Sequence, residues 1–282
     1  MGSNSFEQRP KKLSATDMGE DAEFEEDRES GLLPFKVSVV SGVREIDPAL
    51  ALGEDELDRL LDPTPLEAER GCCFRGDGVG YVAMRVEMPD VTGEMVEWWF
   101  DWHPDDPARY VMWHPTAHKG ISIERPAQPR EKPWWGTVHH PVEDVGIGTT
   151  RVRIEFLSPD ELGFSPGAME RRGVATIVGG LAGDDDKRAR HTRMVHVWLD
   201  DPATGGTILR SRFWIGSVLR PYMPQAIAGP AARLINRPSV RKRLIPRGAP
   251  AALANHCAEE YTNLAGFLPA LFAQERSAAA RG

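Results

Sequence analysis

The sequence predicts an α+β fold in which an antiparallel sheet grips one long C-terminal helix. Three observations carry this reading. Strand-like runs dominate from Gly71 to Gly216, a Gly205-Gly206 turn signal joins the last two as a hairpin, and residues 249–274 return to helical spacing. In that final stretch Leu253, Cys257, Leu264, Phe267, Leu268 and Leu271 recur on one side of the helix. Strands in sequence followed by a helix argue against alternating βαβ units.

The elements follow in chain order. Residues 1–30 hold nine acidic and four basic side chains and few apolar ones, a composition expected to be disordered. Residues 31–70 are expected to form a small arm or subdomain, with an extended PFKVSVVSGV and a short helix EDELDRLL ended by Asp62-Pro63. The main domain is expected over 71–275, with a flexible tail at 276–282. Within it, GYVAMRVEMP reads as a strand, and VTGEMVEWWFDWH as a helix with Thr92 as N-cap. A second short helix is expected from Pro107. Further strands are expected at 119–124, 151–157, 172–179, 191–200 and 207–216, and after Pro221 the pattern turns helical. The glycines of GDGVGY (76–81) read as a turn and those of GGLAG (179–183) as a strand exit.

Composition narrows the function classes. A chain of 282 residues is expected to hold one or two domains. No apolar run approaches the roughly 20 residues that span a bilayer, and 27 % of the residues are charged. The polar, acidic N-terminus lacks the apolar segment of a secretory signal, so cytoplasmic residence is expected. Cys72, Cys73 and Cys257 are too few for a disulfide framework. The net charge is -8, of which residues 1–30 hold -5, so the remaining body is nearly neutral and no nucleic-acid partner is expected. The basic cluster Arg237, Arg241, Lys242, Arg243 and Arg247 reads as a solvated face. GxGxxG, CxxC and Walker A sequences are absent, which removes the commonest nucleotide-binding and zinc-ribbon readings. The lone GxSxG string, GFSPG at 163–167, is not read as a nucleophile elbow, because its proline directly after the serine lacks the backbone N–H that such an elbow gives to the oxyanion.

The informative skew is in tryptophan and histidine. Six of eight tryptophans and five of eight histidines lie between positions 98 and 140. Aromatic walls with a few converging polar groups build small-molecule pockets, whereas the bland alternative is a Trp-rich core with hydrogen-bonded histidines. A second signal lies at the far end of the chain. His256 and Glu260 stand at i and i+4 on the terminal helix, where one divalent ion can take both as ligands. The aromatic window and its edge offer His114 and His118 from WHPTAH, and His139, His140, Glu143 and Asp144 from HHPVED, to complete a His2Glu2 set. Spacing alone does not choose between His114 and His118 or between Glu143 and Asp144.

Five ordered strings, EWWFDWH (97–103), RYVMWHPTAH (109–118), WGTVHHPVEDVGIG (135–148), HVWLDDPATGGTILRSRFWIG (196–216) and HCAEEYTNLAGFLP (256–269), resemble the 2,4-diacetylphloroglucinol hydrolase family over about residues 35–275. The resemblance implies a Bet v 1-like helix-grip domain, with a smaller N-terminal region that supports a homodimer. It also implies a Zn2+-dependent hydrolase that cleaves the C–C bond between an acyl group and a phenolic ring of a small aromatic ketone. Carried over by motif, the zinc ligands fall on His118, Glu143, His256 and Glu260. Tyr110 matches a tyrosine that contacts substrate hydroxyls and His196 a histidine near the reacting centre, while Trp99 is expected on the aromatic wall. Ile121 stands where the family can carry an asparagine, and Phe213 where a tyrosine can occur. Both departures remove hydrogen-bonding groups, which disfavours a heavily hydroxylated ring. The rival from another class is a non-catalytic helix-grip carrier of an apolar aromatic ligand.

Overall fold

In a computed structural model, residues 43–185, 189–221 and 236–281 are described. The acidic stretch 1–30 and most of PFKVSVVSGV lie outside them. Ten strands form the sheet, β1 (Gly71–Phe74), β2 (Gly80–Met88), β3 (His118–Gly120), β4 (Ile123–Glu124), β5 (Val138–His139), β6 (Val142–Asp144), β7 (Thr149–Leu157), β8 (Val174–Asp184), β9 (Ala189–Asp201) and β10 (Gly206–Pro221). The order is β1-β2-β10-β9-β8-β7-β5-β4, with β6 pairing to both β7 and β3, and every pair is antiparallel. The described helices are α1 (Gly93–Trp102), α2 (Pro107–Trp113), the single turn α3 (Pro159–Leu162), α4 (Pro238–Leu244) and the long α5 (Ala249–Ala279). The α+β helix-grip architecture is as the sequence predicts.

Local chemistry explains the boundaries. Thr92 caps α1 by accepting the Met95 N–H, and Asp106 caps α2, whose first residue is Pro107. Helix α5 runs five residues past the expected end because the alanine-rich sequence after Gln274 is strongly helix-forming, so 276–279 are helical and not a loose tail. EDELDRLL yields a 3-10 segment over Leu57–Leu61 in place of an α-helix. Asp62-Pro63 stops it after five residues, and burial of Leu57, Leu60 and Leu61 fixes its pitch. GGLAG is no strand exit. It lies inside β8, where a Cβ at Gly180 would sit 2.3 Å from the Glu155 carbonyl oxygen, so the glycines permit close approach of β7 and β9.

Both faces of the central strands are covered. On the inner face Met84, Met194, Trp198, Leu209 and Phe213 pack against Leu264, Phe267 and Leu268 of α5. On the outer face Tyr81, Val195, Val197 and Trp214 pack beneath Leu57, Leu60 and Leu61 of the N-terminal arm. Period-two alternation along β2, β9 and β10 sorts the two sets.

The arm is fastened by charge as well as by apolar area. Arg210 and Arg212 are buried on the outer face, where the carboxylate of Glu69 accepts from Arg210 at 2.8 Å and from Arg212 at 3.4 Å. Other guanidinium N–H groups donate to main-chain carbonyls of Leu60, Asp62, Thr64, Ala68 and Met84. Burial alone raises the Glu69 carboxyl, but the Leu66 N–H and the two guanidiniums outweigh it and hold it below the usual 4.5. Glu69→Ala is expected to lower the unfolding free energy by about 3 kcal/mol, because it strands two buried cations. Denaturant titration checks it. A carboxyl with a lowered folded pKa stabilises above its unfolded value and loses that contribution as pH falls through the folded one. The acid-side loss of stability below pH 4.5 is therefore expected to be shallower in the variant than in the parent.

Candidate active site

The candidate site forms where α5 crosses the short β3–β6 ladder. Register places His118 directly opposite Glu143, and a bulge at Lys119 follows before Gly120 pairs Val142. From α5 come His256 and Glu260, one turn apart. The Nε2 of His118 lies 3.5 Å from Glu143 Oε2 and 3.7 Å from Glu260 Oε2; for the Nε2 of His256 the distances are 3.8 and 3.7 Å. These separations are too long for hydrogen bonds. They come within about 0.2 Å of the spacing of atoms that share one ion, since a tetrahedral zinc with ligands at 2.0–2.2 Å places them roughly 3.3–3.6 Å apart. Among the described residues His118, His256 and Glu260 form a group able to hold a metal, with ligand atoms all within 4.8 Å of one another.

The surroundings orient each donor. His118 Nδ1–H donates to the Tyr110 carbonyl at 2.9 Å, which leaves the Nε2 lone pair pointing at the carboxylates with no hydrogen-bond partner. The Tyr110 ring stacks on that imidazole at 3.9 Å, and its hydroxyl donates to Glu143 Oε2. Trp113 Nε1 donates to the Glu260 carbonyl at 3.0 Å, and Asn263 Nδ2 donates to the Trp113 carbonyl, which ties α2 to α5. Such outer contacts fix a ligand's tautomer and direction.

Burial drives every one of the four toward neutrality. Desolvation pushes the Glu143 carboxyl up to about 7, against the opposing Tyr110 hydrogen bond, and raises Glu260 well above its usual value, with the Glu143 charge adding to it. It lowers His256 to about 3 and holds His118 well below 6.5. Neutral imidazole is the ligating form, but neutral carboxyl is not. A bound dication reverses the carboxyl shifts, so the donor set fits a divalent ion.

The alternatives left by spacing now have places. His114 Nε2 faces Glu259 Oε2 at 3.2 Å, and its ring stacks on His256 from outside the cluster. Asp144 accepts the main-chain N–H groups of Gly146 and Gly148 and closes the β6–β7 turn. His118 and Glu143 face the cluster.

Beside the cluster opens a cavity of about 560 Å³, within the range of small-molecule sites. Tyr110, Ile121, Glu143, His196, Phe213, His256 and Glu260 all line it, so seven of the residues singled out in sequence converge. Trp99 does not. Its ring is fully buried behind the wall, stacked on His103 at 4.9 Å, and Trp113 takes the lining position. His196 is held neutral, its value lowered by burial to about 3, and its Nδ1 is hydrogen-bonded to Ser211 Oγ at 2.8 Å. Sequence reasoning missed Tyr261 and His103, which also line the cavity, and His139, a candidate ligand by its place in HHPVED, lines it away from the cluster. Tyr261 follows Glu260 directly, and only the helical phase could have found it; His103 gave no spacing signal.

Known proteins resemble the chain over most of its length. The chain is 29 % identical over 254 residues to phloretin hydrolase of Eubacterium ramulus, covering 86 % of this chain and 85 % of that one. It is 28 % identical to 2,4-diacetylphloroglucinol hydrolase of a Pseudomonas species, covering 83 % and 81 %. A crystal structure of Ara h 8.0201 aligns with a TM-score of 0.39 at 10 % identity, covering 67 % of this chain and 97 % of that one. The model of the DAPG hydrolase PhiG domain matches residues 52–273. With a match over well more than half its length, the chain belongs to the DAPG hydrolase family.

Proposed function

We propose that the protein is a zinc-dependent hydrolase of the C–C bond between an acyl group and a phenolic ring, with zinc held by His118, Glu143, His256 and Glu260. The observation that carries this reading is four buried donors at ion-sharing distances on the wall of an apolar cavity. The relatives' names, phloretin hydrolase and 2,4-diacetylphloroglucinol hydrolase, support the reaction type. The working assembly is the homodimer that the family resemblance implies.

In the reaction a water oxygen bonds to the carbonyl carbon and the C–C bond breaks. The electron pair goes to the ring carbon, which gains a proton, and a carboxylic acid and a phenol result. Bound zinc supplies Lewis-acid chemistry, polarising a ketone oxygen or acidifying a water. The chain supplies the rest. His196 faces the cavity with a neutral imidazole that can carry a proton to or from the ring, a role worth about 10²–10⁴-fold in rate. Tyr110 positions Glu143 through its hydroxyl and His118 through its stacked ring. Trp113, Phe213 and Tyr261 offer aromatic faces to the substrate ring.

Metal analysis of the purified protein is expected to find zinc. Glu260→Ala is expected to lose it, by more than the roughly 10–100-fold in affinity that removal of an outer-shell partner costs. A metal-free parent, or a variant that retains its zinc, would sink the ligand assignment. His196→Ala is expected to keep zinc and lose about 10²–10⁴-fold in kcat on an acylphenol panel with products identified by mass spectrometry. Ligand binding without turnover by the zinc-loaded parent would instead mark a carrier.

A further inference from the structure

The outer half of the cavity has a chemistry that the reaction centre does not need. Three large apolar side chains are exposed among the described residues, Leu50, Ile147 and Leu244, and two of these three stand on the cavity rim. Ile147, 52 % exposed, belongs to the turn between β6 and β7, and Leu244, 56 % exposed, ends α4. Isolated exposed apolar residues are ordinary, but two flanking one opening form part of a binding surface.

A continuous apolar wall connects that rim to the donor cluster. On α5, His256, Leu253 and Ala249 lie at i, i−3 and i−7, one face of the helix, and all three line the cavity. Seven residues of helix span roughly 10 Å. Beyond Ala249 the wall continues through Pro246, Ile245 and Leu244. Polar groups of the outer cavity, Thr150, Asp184, His191 and Thr192, come from β7, β8 and β9 instead. The helix side is therefore an apolar track that begins at the reacting centre and ends at the rim.

We propose that this track is a subsite for an apolar chain, so that the preferred substrate is an acylphenol whose acyl chain extends several carbons toward Ile147 and Leu244. The inference rests on the hydrolase reading for the word acyl, and on the cavity alone for the apolar chain. An acetyl group would leave the track filled with water. Each methylene that displaces water from it should improve binding about four-fold, the equivalent of ~0.8 kcal/mol.

Two readouts on the full-length protein separate this proposal from the function beneath it. Binding of 4-alkylphenols from methyl to hexyl, followed by quenching of tryptophan fluorescence with Trp113 on the cavity wall, is expected to tighten about four-fold per methylene. In the zinc-loaded protein, kcat/KM over 2-acylphenols with acetyl, butanoyl, hexanoyl and octanoyl chains is expected to climb and then level where the chain passes the rim. Ile147→Asp and Leu244→Asp, both at exposed positions that fold tolerates, are expected to lower the octanoyl-to-acetyl ratio and the hexyl-to-methyl ratio at least ten-fold. A binding series flat in chain length overturns the subsite whether or not any ketone is hydrolysed. A rising binding series with no hydrolysis upholds the subsite and overturns the hydrolase reading.

Discussion

Four ionisable side chains facing one another away from water set the terms for this interior. His118 and Glu143 arrive on a three-residue ladder, and His256 and Glu260 on a helix more than a hundred residues later. Bringing two buried carboxyls together is unfavourable unless a positive charge or protons compensate them. That constraint explains why the junction is so heavily braced. The Trp113 indole, the Asn263 amide and the Tyr110 hydroxyl each tie a donor-bearing element to its neighbour. On the proposed reading the ion that satisfies the donors also joins the helix to the ladder, so its binding energy is in part folding energy.

The same bracing sorts the imidazoles of the aromatic window. His118 spends its Nδ1 proton on the Tyr110 carbonyl and keeps a lone pair for the cluster. His103 gives its own Nδ1 proton to the Trp99 carbonyl and is lowered by burial to about 4. His114 turns to Glu259, and His140 stands between Glu124 and Asp185. Composition marks all of them equally. What separates them is the second partner each ring meets.

Local signals were legible in the sequence and long-range ones were not. Thr92, Pro107 and the Gly205-Gly206 turn act on their own neighbours, so α1, α2 and the β9–β10 hairpin were placed from text alone. The i, i+4 pair on α5 was equally plain, because helical phase is a local property. β5 and β6 have two and three residues and carry no pattern, since pairing with β7 creates them. Spacing alone leaves Glu143 and its neighbour Asp144 open; the family resemblance points to Glu143, and the register turns that residue toward His118. Trp99 was drawn to the wall by its size, but the inward face of α1 is core. Arg210 and Arg212 alternate with core residues on β10 and gave no hint that Glu69 would bury them.

On the proposed reading, specificity follows from weighing two small energies. Ile121 and Phe213 line the cavity without offering a hydrogen bond there, so a substrate hydroxyl placed against either loses its water partner at about 1–3 kcal/mol. A methylene on the apolar track returns about 0.8 kcal/mol. Two stranded hydroxyls are thus offset only by roughly three to eight buried methylenes. A hydroxyl-rich ring with a short acyl group has nothing to set against its loss, whereas a ring with fewer hydroxyls and a longer chain gains at both ends of the cavity. Apolar residues at the deep wall and at the rim therefore act in the same direction, and the preference they impose belongs to the cavity as a whole, not to either residue alone.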